Sequence, residues 1–272
     1  MLLPTFFGLR IQEAETVGMA LLGALAFSLI ASGVYILNDW RDLEADRAHP
    51  SKRLRPLASG QVPVQAAVFL MFLLMVIGLG IFWLLDPLSL YLALAYVGIN
   101  VLYSIRLKQI ALLDIFIIAM GFVIRVGIGA TVVNPNIPLS MWIMVMTFLG
   151  ALFLGLAKRR DDVLLAATGL QVRKSIDGYN LEFINGAMVM MASVLIVGYL
   201  SYVSDPEVMA HFHTRQLYIT AAFVVLGVLR YMQIAFVEEK SGSPTGILLG
   251  DRFLQITIAG WLATFVWLIY WN

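Results

Sequence analysis

The sequence predicts an all-α fold: a polytopic membrane helical bundle with eight full spans plus the remnant of a first. Three observations predict it. Of 272 residues, 61% are hydrophobic and only 13% charged, far too apolar for a soluble domain of this length. Eight runs are long and apolar enough to cross a bilayer, which takes about 20 residues of helix. The charged residues collect in alternate connections between those runs.

The runs fall near 16–38, 63–85, 88–105, 110–131, 139–157, 183–204, 215–237 and 253–271. Ahead of them, "MLLPTFFGL" is too short to cross and lacks the charged start and small-residue cleavage site of a signal peptide. It reads as the tail of a helix whose beginning is absent. Interior glycines, as in "GFVIRVGIGA", suit membrane helices whose backbones approach closely. No soluble insertion interrupts the series, so residues 1–272 read as one domain. A net charge of +1 leaves no nucleic-acid footprint. The absence of cysteine excludes disulfides, thiolate metal sites and cysteine nucleophiles.

Lys and Arg set the orientation. Fourteen of the 18 lie in four alternate connections, 39–62, 106–109, 158–182 and 238–252, and none lies in 86–87, 133–138 or 205–214. The positive-inside rule places the four basic connections in the cytoplasm, with the protein in the cell (inner) membrane.

The densest charge follows directly on the apolar run "LLGALAFSLIASGVYIL". "NDWRDLEADRAHPSKRLRP", residues 38–56, holds four acidic and five basic side chains. Asp39, Asp42 and Asp46 are spaced three and four apart, so a helix continuing past Leu37 lines their carboxylates up on one face. Like charges stacked this way call for a cation. Hard oxygen ligands suit magnesium, which takes one or two carboxylates and binds substrate phosphates. Asn38 adds a neutral oxygen ligand or orients the first Asp. His49-Pro50 should break the helix, after which Lys52, Arg53 and Arg55 offer donors to phosphate oxygens. The plainer alternative is a solvated loop in which Arg41 and Arg47 relieve Asp42 and Asp46.

"NDWRDLEADRAHPSKRLRPLASG" resembles the N-D-x-x-D-x-x-x-D motif of the UbiA superfamily of intramembrane prenyltransferases, whose members have nine membrane helices around a lipid-accessible cavity. Its extension H-P-x-K-R-x-R-P-x-A-x-G is similar to the decaprenyl-phosphate phosphoribosyltransferase branch. The likeness continues through "YSIRLKQIALLDIFIIAMGFVIR", "LGLAKRRDD", "RKSIDGYN" and "GSPTGILLGDRFLQ". It implies a transferase that joins polyprenyl phosphate to the anomeric carbon of phosphoribosyl pyrophosphate and releases pyrophosphate, with Mg2+ at Asp39, Asp42 and Asp46. The chain departs from the pattern twice. Members usually open on R-P-x-Q-W-x-K-N, and the branch tends to show K-R-x-x-E where this chain has Asp162.

Aromatic prenyltransferases of the superfamily carry a second aspartate-rich motif. This chain has Lys158, Arg159, Arg160, Arg173 and Lys174 in the matching region, which suits two anionic substrates. Lys158 and Arg159 match the family's K-R pair and are assigned to substrate. For Arg160 and Lys174 a topology signal serves equally. Tyr179 follows the family's pattern and donates to a ribose or phosphate oxygen, or anchors at the interface. Arg106 is a candidate phosphate ligand at a helix end where an interfacial belt also places Tyr103 and Lys108. Asp114 and Arg125 share one apolar span, where ionisable groups are costly and face a cavity or partner. Asp114 reads as structural, while Arg125 reaches substrate phosphate or pairs with a carboxylate on another helix.

Two other functions stay open at this point. One is UbiA-type prenyl transfer from a polyprenyl diphosphate to an aromatic acceptor such as 4-hydroxybenzoate or a quinone precursor. The other is a transporter, against which the charge clusters at one membrane edge. Association of copies into a homo-oligomer is also open.

Overall fold

A computed structural model describes residues 1–48, 52–168 and 174–270. Among these residues eight helices are long and apolar enough to span a membrane, so the protein is an integral membrane protein. The elements are α1 (Leu3–Phe7), α2 (Ala14–Arg41), α3 (Leu43–Ala48), α4 (Val64–Leu85), α5 (Pro87–Ile105), α6 (Leu113–Thr131), α7 (Met141–Ala167), α8 (Leu181–Val203), α9 (Pro206–His211), α10 (Ala221–Phe236), α11 (Pro244–Gly250) and α12 (Arg252–Tyr270).

The spans follow the apolar runs, with two extensions that carry polar residues. α2 runs on to Arg41 and takes Asn38 and Asp39 with it; α7 runs on to Ala167 and takes Lys158 through Asp162. Both tails remain helical because their last turns contain no Gly or Pro. At the other end of α10, the helix is preceded by a 3₁₀ turn at Leu217–Thr220, which leaves Arg215 in the connection rather than in the span.

The chain divides into two compact units, Met1–Met144 and Val145–Asn272. In the first, α2 packs along α4 and also meets α5 and α6. Lipid is as apolar as leucine, so membrane helices associate through close packing rather than hydrophobic burial. Small residues allow that approach: a Cβ on Gly78 would lie 2.6 Å from Ile30 Cγ1 and 2.7 Å from the Ala26 carbonyl oxygen. The core gathers Phe27, Ile30, Phe82, Tyr96, Ile124 and Ile128. The far ends of α5 and α6 are tied by Ser89 Oγ and Thr131 Oγ1 at 2.7 Å. Outward faces carry exposed apolar side chains such as Phe69, Trp83 and Leu84, as a lipid environment requires.

In the second unit α10 packs on α8 and α12. A buried hydrogen-bond chain joins three elements: Trp261 Nε1 donates to Tyr199 Oη at 2.7 Å, and Tyr199 Oη lies 2.7 Å from Thr220 Oγ1.

Candidate active site

Asp42 ends α2. Its backbone, at φ −96° and ψ 6°, leaves helical geometry, and the chain resumes as α3 with the Asp46 amide donating to the Asp42 carbonyl at 2.8 Å. This interruption splits the acidic row. Asp39 and Asp46 share one cation: Arg55 Nη1 donates to Asp39 Oδ1 at 2.9 Å and to Asp46 Oδ2 at 2.7 Å. Asp42 takes another: Lys108 Nζ donates to Asp42 Oδ1 at 2.5 Å and to Asn38 Oδ1 at 3.1 Å. Arg55 follows the 3₁₀ turn Lys52–Leu54, and Lys108 sits in the turn Leu107–Gln109 between α5 and α6. Asp46 and Lys108 are 4% and 9% exposed, so each needs its partner, since burying a lone charge is expensive.

Two expectations are corrected here. A single continuous face of three carboxylates gives way to a pair on Arg55 and a third on Lys108, because the helix breaks at Asp42. The relief expected from Arg41 and Arg47 comes instead from Arg55 and Lys108, while Arg41 and Arg47 are exposed. Lys52 is half-buried and Arg53 exposed. His49 and Pro50 lie outside the described residues. Arg106, expected to reach phosphate, is exposed at the end of α5, whereas Lys108, read from sequence only as interfacial, is the cation that enters the cluster.

Arg125 lies within α6. Its guanidinium lies 4.8 Å from the Phe27 ring centroid and 5.0 Å from that of Phe122, and its Nε is buried without a hydrogen-bond partner. No carboxylate among the described residues pairs with it, contrary to one sequence expectation. It is about 16 Å along α6 from Asp114, at about 1.5 Å per residue. Asp114 itself is fully buried at the start of α6, as a structural role requires.

The donor chemistry of Asn38, Asp39, Asp42 and Asp46 fits a hard divalent cation. Their arrangement adds a condition. Among the described residues no three acidic or His side chains converge on one metal position, and three of the carboxylate oxygens are held by Arg55 and Lys108.

In the second unit, Lys158 is exposed, Arg159 is 2% exposed and ion-paired to Asp162 one turn on, and Arg160 is 5% exposed. Arg160 Nε donates to Asn185 Oδ1 at 3.0 Å, and its guanidinium lies 5.3 Å from the Phe236 centroid. It therefore ties α7 to α8 and α10. Asp162 serves as partner to Arg159, where the branch tends to have Glu. Asp161 packs against Gly242 so closely that any Cβ there would overlap its carboxylate. Tyr179 is buried beside Phe183, with ring centroids 6.2 Å apart. Arg173 and the Lys174 side chain lie outside the described residues. Sequence reasoning also missed a clamp from α10 to the start of α12: Arg230 Nη2 donates to Asp251 Oδ2 at 2.7 Å and lies 3.0 Å from Glu238 Oε1. The Arg230 guanidinium holds the Asp251 carboxyl below its usual range.

Fold and site together define a membrane protein with eight candidate spans among its described residues and an Asn-Asp cluster ion-paired to Arg55 and Lys108 at the end of its first long helix. The UbiA prenyltransferase family matches residues 1–257, and the chain belongs to that family of transferases. It is 33% identical over 272 residues to decaprenyl-phosphate phosphoribosyltransferase of Mycolicibacterium smegmatis, covering 97% of this chain and 85% of that one. The enzyme of the same name from Corynebacterium glutamicum is 30% identical, over 90% of this chain and 74% of the relative. The UbiA homolog of Archaeoglobus fulgidus bound to DMAPP and Mg2+ superposes with a TM-score of 0.71 at 17% identity, covering 99% of this chain and 93% of its own. That likeness establishes the UbiA fold.

Proposed function

We propose that the protein transfers a 5-phosphoribosyl group from phosphoribosyl pyrophosphate to polyprenyl phosphate, releasing pyrophosphate, with Mg2+ as cofactor. The observation that carries this reading is the similarity, over nearly the whole chain, to decaprenyl-phosphate phosphoribosyltransferases. The cationic side chains on both units support it. Arg55 and Lys108 sit among the carboxylates, and Lys158 is exposed on α7.

In this reaction the bond from ribose C1 to the pyrophosphate oxygen breaks with its electron pair leaving on pyrophosphate. A phosphate oxygen of the lipid forms the new bond to C1. The nucleophile is already an anion, so no general base is required. Asn38, Asp39, Asp42 and Asp46 would hold magnesium, which when bound neutralises negative charge gathering on the leaving group. Lys52, Arg53 and Arg55 grip phosphate oxygens of the donor, and Tyr179 is assigned a ribose or phosphate oxygen. The lipid phosphate is assigned to Lys158, Arg159 or Arg106. Positioning and electrostatic stabilisation carry the rate. The basic connections support a site facing the cytoplasm, and the family match over 1–257 supports a single domain.

Membranes containing the protein, given labelled phosphoribosyl pyrophosphate, Mg2+ and polyprenyl phosphate, should move label into the lipid phase. If the label stays in water while a prenyl diphosphate alkylates 4-hydroxybenzoate, the UbiA-type prenyl transfer reading replaces this one.

A further inference from the structure

Lys108 and Arg55 hold one oxygen of each of Asp39, Asp42 and Asp46, and the Asn38 amide oxygen. Lys108 Nζ lies 2.5 Å from Asp42 Oδ1 and 3.1 Å from Asn38 Oδ1, and Arg55 Nη1 bridges Asp39 and Asp46 at 2.9 and 2.7 Å. Three carboxylates thus meet two fixed cations, leaving one negative charge. A divalent ion that takes those held oxygens on its own displaces both cations and then sits beside them, with no anion to take them up. Lys108 is 9% exposed, so it cannot simply turn into water without leaving the protein interior that encloses it.

On the basis of the proposed diphosphate chemistry, we infer that Lys108 is a positioning residue that, with Arg55, locks the acidic cluster against free metal and makes divalent-metal uptake conditional on a diphosphate. The diphosphate supplies the missing anion. Arg55 and Lys108 transfer their hydrogen bonds from carboxylate to phosphate oxygens, which accept them as readily. The freed oxygens of Asp39, Asp42 and Asp46, with Asn38, then face the metal. Metal and diphosphate each raise the affinity for the other by the same factor, as linkage demands. The arrangement also keeps the acidic cluster from being occupied by cytosolic magnesium between turnovers.

The test is Mn2+ binding to the full-length protein in detergent, followed by electron paramagnetic resonance with and without inorganic pyrophosphate. No turnover is involved. The wild type should bind Mn2+ at least about tenfold more tightly when pyrophosphate is present. Lys108→Gln should bind Mn2+ alone about tenfold more tightly than wild type and lose most of the pyrophosphate effect. Lys108→Arg, which keeps the charge, should retain it. Should Lys108→Gln fail to give monodisperse protein, Arg55→Gln carries the same expectation. Equal Mn2+ affinity with and without pyrophosphate in the wild type, or unchanged metal-only affinity in the Gln variants, overturns the lock while leaving the proposed reaction intact. Failure of Mn2+ to bind even with pyrophosphate overturns both.

Discussion

Lys108 and Asp42 are 66 residues apart in the chain and 2.5 Å apart in the fold. That contact joins the turn between α5 and α6 to the point where α2 breaks, and it fixes which way the Asp42 carboxylate faces. Loss of either charge should therefore have different consequences. Removing the lysine leaves an acid for metal, whereas removing the acid leaves nothing to hold it.

Asp39→Asn and Asp42→Asn should each reduce phosphoribosyl transfer by at least about 10²-fold, the scale on which preorganised charge stabilisation acts. Asn keeps the size and one acceptor, so Asp39→Asn should keep the elution profile and thermal stability of wild type, whereas Asp42→Asn removes the counter-charge of buried Lys108 and should also lower thermal stability. Full activity in either variant would remove the metal assignment.

Gly242 should not tolerate a side chain. The Asp161 carboxylate occupies the space of its absent Cβ, so Gly242→Ala should destabilise the protein by about 1–3 kcal/mol, as overpacking does. The double variant with Asp161→Ala should recover most of that loss. Equal melting temperatures for Gly242→Ala and wild type would mean that the loop shifts freely.

A larger effect is expected between α2 and α4. Gly78→Val pushes two methyl groups toward Ile30 and the Ala26 carbonyl and forces the helices apart where small residues bring them together. A drop of about 2–4 kcal/mol is expected from overpacking plus lost helix contact, read as a lower unfolding midpoint in detergent. Gly80, with open space around it, is the control: Gly80→Ala should be neutral or slightly stabilising, since glycine weakens a helix interior.

The Arg230–Asp251 clamp should show itself in acid. Asp251 is depressed by Arg230, so its contribution is present above the ordinary Asp value of about 3.9 and is lost as pH falls through the lower folded value. Wild type should thus be more stable than Asp251→Asn at pH 7, and the gap should close toward pH 3. A gap that persists unchanged at pH 3 would show that the hydrogen bond, not the charge, holds α12.

The eight spans were legible because apolar length is a local property, and so was the acidic motif, which lies within nine residues. Its electrostatic partners were not. Arg55 was singled out for phosphate, but its grip on Asp39 and Asp46 depends on how the chain turns after α3, and the partnership of Lys108 with Asp42 depends on the packing of α2 against α5. The same limit applied on α7: "KRRDD" reads as a cationic patch, yet the helix buries Arg159 and Arg160, which pair with its own Asp162 and with Asn185 of α8. Arg125 was found by its cost in an apolar span, a signal that marks an unusual residue without saying that two aromatic rings will hold it.

Only Asp86 separates α4 from α5, and its carboxylate caps α5 by accepting from the Ser89 amide at 2.6 Å. The pair therefore leaves the ribosome almost without interruption and can enter the bilayer as one hairpin. The tip carries a single charge, for which the cost at mid-membrane is about 2.5–3.5 kcal/mol. The 22 residues of α4 and the 19 of α5, mostly apolar, easily offset that, so this hairpin gives α2, which precedes it in the chain, and α6, which follows, a wall to pack against.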